Sequence, residues 1–174
     1  MQSLLVLGGA RSGKSRYAER RARESGLTAI YIATAEALDA EMQQRIERHR
    51  NERGPGWKTV EAPLDVAGAI RAHAAPGRVL LVDCLTLWVS NLLLAGREIE
   101  AAVAELAAAI EGATGPVILV SNEVGSGIVP DNALARCFRD EAGRANQRIA
   151  AVVSEVQLIV AGLPLSLKSA STRR

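Results

Sequence analysis

The chain is short of aromatic residues, cysteine, histidine and lysine, and each shortage removes a class of function. Aromatic side chains make up 3% of its 174 residues, too few for the stacking platforms that bind single-stranded nucleic acid. Two cysteines are present, Cys84 and Cys137, far apart and without C-x-x-C spacing. Neither a zinc signature nor a disulfide framework is in view, and reduced thiols are expected. An excess of one charge is also missing: 21 Lys and Arg stand against 19 Asp and Glu, a net +2. That argues against a nucleic-acid or membrane partner recognised by bulk charge, but leaves room for a small anionic ligand held by local charge. No apolar run approaches the ~18 residues of a membrane span. The short run Leu4-Leu5-Val6-Leu7 has its basic residues after it, the reverse of a signal peptide. A cytoplasmic protein with no membrane span and no nucleic-acid partner is expected.

What is present is ordinary globular material, 48% hydrophobic and 23% charged, in a length suited to about one domain. Such a chain buries about 70% of its unfolded surface and needs no disulfide. Short apolar runs alternate with helical patterns. Strands are expected at 3–7, 28–33, 57–61, 78–83, 116–121, 156–161 and 163–167. Helices are expected at 14–25, 37–53, 64–74, 85–94, 98–111 and 132–153, the last carrying Gly143 as a possible break. The alternation predicts an α/β domain over 1–168 with a mainly parallel sheet flanked by helices, and a polar tail at 169–174.

The run Gly8-Gly9-Ala10-Arg11-Ser12-Gly13-Lys14-Ser15 fits G-x-x-x-x-G-K-[ST]. It follows a predicted strand and opens a predicted helix, the context the motif requires. Its glycines let backbone N–H groups wrap a phosphate, Lys14 reaches the outer phosphates, and the Ser15 hydroxyl joins the shell of Mg²⁺. Lysine is otherwise found only at Lys58 and Lys168, so its retention at position 14 suits a compact point charge. Asp83 ends the apolar strand 78–83 and either holds the metal or caps the next helix. The stretch Ser121 to Pro130, with Asn122 and Glu123, reads as a shaped loop on the same sheet edge or as an ordinary turn. Arg136, Arg139, Arg144 and Arg148 fit a solvated helix face equally well. Arg45, His49 and Arg53 share a helical stripe. There, a mixed-charge surface helix competes with a neutral imidazole poised as a nucleophile. His73 reads as a helix C-terminal residue without chemistry. The absence of N-K-x-D excludes a regulatory GTPase, and the length favours a small-molecule kinase or nucleotide transferase.

Several of these stretches together resemble the bifunctional adenosylcobinamide kinase / adenosylcobinamide-phosphate guanylyltransferase family of cobalamin assembly. They are the phosphate loop through Arg16, Tyr31-Ile32-Ala33-Thr34, and Asp39-x-Glu41-Met42-x-x-Arg45-Ile46-x-x-His49. Asn122-Glu123-Val124-Gly125-x-Gly127-Ile128-Val129-Pro130 and the stretch from Phe138 to Arg148 also match. The resemblance covers about residues 3 to 168. It implies a single-domain, RecA-like phosphate-loop fold and a homotrimer. It implies phosphorylation of adenosylcobinamide by ATP or GTP, then transfer of GMP from GTP to adenosylcobinamide phosphate through a guanylylated histidine at the position of His49. It further implies nucleotide contacts from Gly8, Gly9, Ala10, Arg11, Ser12, Gly13, Lys14 and Ser15, from Ala33, Thr34 and Ala35, from Arg50, Asn51, Glu52 and Arg53, and from Glu61 and Asp83. Mg²⁺ is expected on Ser15 and Asp83. A kinase without guanylyl transfer, with His49 an idle surface residue, is the alternative; a nucleotide-binding regulatory module is the third class.

Overall fold

Residues Ser3–Gly8 are buried along their whole length, as an apolar run must be in a strand covered on both faces. In the computed structural model, which describes residues 3–35 and 56–169, this strand (β1) lies inside one seven-stranded sheet. The elements follow as α1 (Lys14–Glu24), β2 (Thr28–Ala33), β3 (Trp57–Glu61), α2 (Val66–His73), β4 (Arg78–Asp83), α3 (Leu85–Leu94), α4 (Ile99–Glu111), β5 (Val117–Asn122), α5 (Ala133–Val152), β6 (Glu155–Val160) and β7 (Leu163–Lys168). The helix expected over 37–53, with His49 and Arg50–Arg53, lies outside the described residues.

The strand order is β3-β2-β4-β5-β1-β6-β7. All neighbours are parallel except β6 and β7, which form an antiparallel hairpin. Side chains alternate between the two faces. Leu5, Leu7, Ile30, Ile32, Leu80, Val82 and Leu119 pack with residues of α2 to α5. Leu4, Val6, Ala29, Tyr31, Val79, Leu81, Ile118 and Val120 pack with Tyr17, Ala18 and Ala22 of α1. Burying each such large side chain is worth about 1.5–3 kcal/mol, so this two-sided core fixes the register of the strands. Gly143 does not break α5: a Cβ there would meet nothing within 4 Å, and glycine costs only its weak propensity, about 1 kcal/mol.

Because β1 to β6 run the same way, their carboxyl ends share one edge. The chain leaves β1 toward β2 on one side and later returns to β6 on the other, which makes the carboxyl end of β1 a topological switch point. Open α/β sheets bind ligands at such crevices.

Candidate active site

The phosphate loop bridges β1 and α1 at that switch point. Gly8 has no room for a side chain, since a Cβ would lie 2.4 Å from Ser12 Oγ and 2.8 Å from the Ile159 carbonyl oxygen of β6. Arg11 and Gly13 take left-handed backbone conformations, with φ 56° and 92°, and so turn the loop back on itself. Ser12 N–H donates to Gly9 O at 3.3 Å, and Gly162 N–H, from the β6–β7 turn, donates to Ser12 O at 2.9 Å. That turn, Ala161-Gly162, has positive φ at both residues, the geometry of a tight two-residue hairpin. It braces the loop from the side away from β5.

The start of α1 is built for an anion. Its N-cap is Gly13, no side chain caps it, and no acidic residue stands in its first turn. Asp65, Cys84 and Asn132 cap α2, α3 and α5 with their side chains. In α1 the N–H groups of an uncapped first turn, the positive end of the helix dipole and the basic residue Lys14 stand together, an arrangement that favours an oxyanion. Lys14 Nζ bends over the loop and donates to Gly9 O at 3.2 Å.

Asp83 stands at the end of β4, separated from β1 by β5 alone. It does not cap α3; that role belongs to Cys84, whose Sγ accepts from Leu87 N–H at 3.5 Å. Burial pushes the Cys84 thiol up to about 11, with the Asp83 carboxylate adding to the rise and Lys14 opposing it. The β4 carboxylate and the phosphate loop thus stand at the same edge of the sheet, two strands apart. Ser15 and Asp83 are hard oxygen donors, the type Mg²⁺ takes. No cluster of three or more His, Cys, Asp or Glu side chains occurs among the described residues.

The turn after β2 is tied to the same place from below. Thr34 is fully buried. Its hydroxyl donates to Cys84 O and accepts from Cys84 N–H, both at 2.8 Å. Asn91 Nδ2 holds Thr34 O at 2.8 Å and Pro63 O at 3.0 Å. The Thr34 side chain thus works inward, positioning the residue after Asp83, while Ala33 and Ala35 on either side of it are half-buried. Glu61 ends the edge strand β3, four strands from β1, and the sheet does not bring it to the phosphate loop.

Beside β1, Glu123 N–H donates to Gly8 O at 3.1 Å, and Glu123 Oε1 accepts from Gly125 N–H at 2.7 Å. Arg136 Nη1 fixes the far side of this loop through Pro130 O at 2.9 Å and Asp131 O at 2.7 Å. The stretch after β5 is therefore a shaped loop. Arg139 and Arg144 pair with Asp140 and Glu141 on the surface of α5, the solvated-face outcome. Asn146, within the Phe138–Arg148 stretch that carries the family resemblance, is 7% exposed and donates to Asn122 O at 3.2 Å. Its signal was a polar side chain on the buried stripe of Ala142, Ala145 and Ile149. Asn122 Oδ1, Asn146 Oδ1 and Ser12 Oγ are buried without a hydrogen-bond partner among the described residues.

Residues 4–167 match the family described as cobinamide kinase / cobinamide phosphate guanyltransferase. The chain belongs to this family. It is 51% identical over 166 residues to the bifunctional adenosylcobalamin biosynthesis protein CobP of Pseudomonas aeruginosa, covering 94% of this chain and 96% of that one. It is 43% identical over 180 residues to the bifunctional protein CobU of Escherichia coli, covering 95% and 99%. Among solved structures, an ATPase from a bacterial type III secretion system superposes with TM-score 0.55 at 11% identity, covering 95% of this chain and 56% of that one. The flagellar accessory protein FlaH from Methanocaldococcus jannaschii gives 0.53 at 12%, covering 97% and 78%. These two likenesses bear on the fold alone, and they agree with the phosphate-loop α/β architecture expected from the sequence.

Proposed function

We infer that the chain is a bifunctional enzyme of adenosylcobalamin biosynthesis, a cobinamide kinase and cobinamide-phosphate guanylyltransferase, with both reactions drawing on one triphosphate cradle. The observation that carries this is the uncapped start of α1 behind the Gly8–Ser15 loop, in a chain that belongs to that family over nearly its whole length. Nucleoside triphosphate, GTP or ATP in the first step and GTP in the second, lies along the loop with its outer phosphates on Lys14 and the α1 N–H groups. Ser15 and Asp83 would hold Mg²⁺, which supplies charge neutralisation at the phosphates. Further contacts are assigned to Ala33, Thr34 and Ala35, to Arg50, Asn51, Glu52 and Arg53, and to Glu61. The inward hydroxyl of Thr34 confines that residue's part to positioning.

In the first step the hydroxyl of the aminopropanol arm of adenosylcobinamide takes the γ-phosphoryl group. In the second, the neutral imidazole of His49 attacks the α-phosphorus of GTP and pyrophosphate leaves. A phosphate oxygen of adenosylcobinamide phosphate then displaces the imidazole, giving adenosylcobinamide-GDP. The loop N–H groups and Lys14 stabilise the charge that grows on the phosphates in both steps. The working unit is a cytoplasmic homotrimer; Leu163, Leu165 and Leu167, all more than half exposed on β7, offer an apolar stripe for contact between copies. Cys84 and Cys137 are both free thiols, in keeping with a reducing compartment.

The test is protein labelling. Wild type incubated with Mg²⁺ and GTP labelled at the α-phosphate retains label that is stable in base and lost in acid, as a phosphoramidate is. Label from the γ-position does not remain. His49→Asn takes no label and loses GMP transfer while still phosphorylating adenosylcobinamide. Equal labelling of the two proteins would leave the simple-kinase reading in its place.

A further inference from the structure

Phosphoryl transfer to an alcohol needs a group to receive the hydroxyl proton, and that group must come within hydrogen-bond reach of an oxygen about 3 Å from the γ-phosphorus. Three carboxylates stand at or just past the carboxyl ends of the described parallel strands: Glu61 on β3, Asp83 on β4 and Glu123 just past β5. Strand spacing sorts them. Adjacent strands lie about 4.8 Å apart. In the order β3-β2-β4-β5-β1, that puts the end of β3 about 19 Å, of β4 about 10 Å and of β5 about 5 Å from the phosphate loop. Glu61 is out of range, and Asp83 is the carboxylate assigned to Mg²⁺ in the reading above. The β5 position is the near one, and the hydrogen bond from Glu123 N–H to Gly8 O at 3.1 Å fastens it to the first residue of the loop.

The rest of that strand end is consistent with a ligand-facing role. Glu123 is exposed, and its Oε1 is fixed by Gly125 N–H, which leaves Oε2 directed by a held carboxylate. Next to it in sequence, Asn122 Oδ1 is a buried acceptor without a donor, as is Asn146 Oδ1 on the helix that clasps Asn122 O. Buried acceptors left without donors are costly, and they sit at the strand end beside the phosphate loop rather than elsewhere in the core.

We propose that Glu123 is the general base of the kinase step, a role that rests on the function inferred above. The substrate hydroxyl oxygen forms its bond to the γ-phosphorus as the bond from that phosphorus to the β,γ-bridging oxygen breaks. The electron pair leaves with the nucleoside diphosphate, and the hydroxyl proton passes to Glu123 Oε2 and then to solvent. The guanylyl step makes no such demand, because its acceptor, a phosphate monoester, is already ionised. One carboxylate therefore distinguishes two reactions that share a cradle.

The experiment measures both reactions on Glu123→Gln and Glu123→Asp, with adenosylcobinamide for the first and presynthesised adenosylcobinamide phosphate for the second. Glutamine keeps an oxygen for Gly125 N–H and so preserves the loop. Expected for Glu123→Gln is a fall in phosphorylation on the order of 10²–10⁴-fold, with GMP transfer within about threefold of wild type; Glu123→Asp recovers part of the phosphorylation. If both reactions fall together, Glu123 shapes the loop and is not the base. If neither falls, it has no part in proton transfer. Either result overturns the proposal while a working wild type leaves the function intact. A wild type that forms neither product overturns both.

Discussion

The two ends of the parallel sheet are built on opposite principles. At the amino end, Arg21 of α1 grips Glu155 of β6 through two hydrogen bonds of 2.9 and 2.8 Å, and the pair is closed by the Tyr17 hydroxyl and the Gln157 amide. Ser154 N–H and Ser3 Oγ meet at 3.0 Å beside it. Polar groups there are matched within the fold. At the carboxyl end, Ser12 Oγ, Asn122 Oδ1 and Asn146 Oδ1 are buried unmatched, Arg11 holds a left-handed backbone, and α1 starts without a side-chain cap. An end that is satisfied internally secures the fold. An end whose polar groups the fold leaves unmatched is the end at which the phosphate loop and its site lie.

Substitutions at the two ends should therefore separate activity from stability. The largest effect is expected for Lys14→Ala. Both reactions lose a charge contact to phosphate oxygens as charge develops, and both should fall about 10²–10³-fold, with thermal unfolding little changed. Steady-state rates for the two reactions, set beside a melting curve, check this. Retention of one reaction at full rate would mean that the two do not share a cradle.

Gly8→Ala probes the same end through the backbone. Its Cβ would overlap Ser12 Oγ, which rotates away, but also the Ile159 carbonyl, which belongs to a central strand pair and does not. The loop must shift, and a misplacement of about 1 Å costs on the order of 10²-fold in turnover. Nucleotide affinity, read by titration with GTP, should weaken together with both rates, and stability should fall by about 1–3 kcal/mol from the overpacking.

How far the sequence anticipated these features follows the range of the interactions involved. The phosphate loop and the strands around it are local patterns and could be read directly, whereas the continuity of α5 through Gly143 could not, because it depends on the open space around that residue. Strand order is not local. That β5 rather than β4 lies beside β1 depends on pairings such as Gly8 with Asn122, and no periodicity encodes them, so Glu123 could be placed in a shaped loop but not beside the phosphates. Capping of α3 fell to Cys84, which ranks low as a cap, instead of Asp83. The inward turn of Thr34 depends on a helix 57 residues further along the chain, through Asn91. That Glu61 stands on the edge strand, four strands from β1, likewise follows from strand order and from no local pattern.

The smallest effect belongs to the closed end and has a direction in pH. The hydrogen bond from Arg21 holds the Glu155 carboxyl below its ordinary value, aided by the Gln157 amide and by the Arg21 charge, with partial burial opposing. The same pair raises Arg21 further, so the guanidinium stays charged throughout. A carboxyl whose folded value is depressed stabilises the protein fully above its unfolded value, about 4.3 for glutamate. That contribution is lost as pH falls through the folded value. Glu155→Gln removes the charge and keeps the shape. The side chains are 21% and 18% exposed, so solvent screens part of the attraction, and the loss at pH 7 should be about 1 kcal/mol. In a chain of this length that is about 2–4 °C in Tm. Turnover per folded molecule should not change, since the pair stands a full strand length from the loop. Melting curves of wild type and variant at pH 7 and at successively lower pH decide the matter: the gap should narrow as pH falls below the unfolded value. A gap that does not change with pH would mean that Glu155 acts through packing, not charge. A loss of turnover at pH 7 would mean that the two ends of the sheet are coupled.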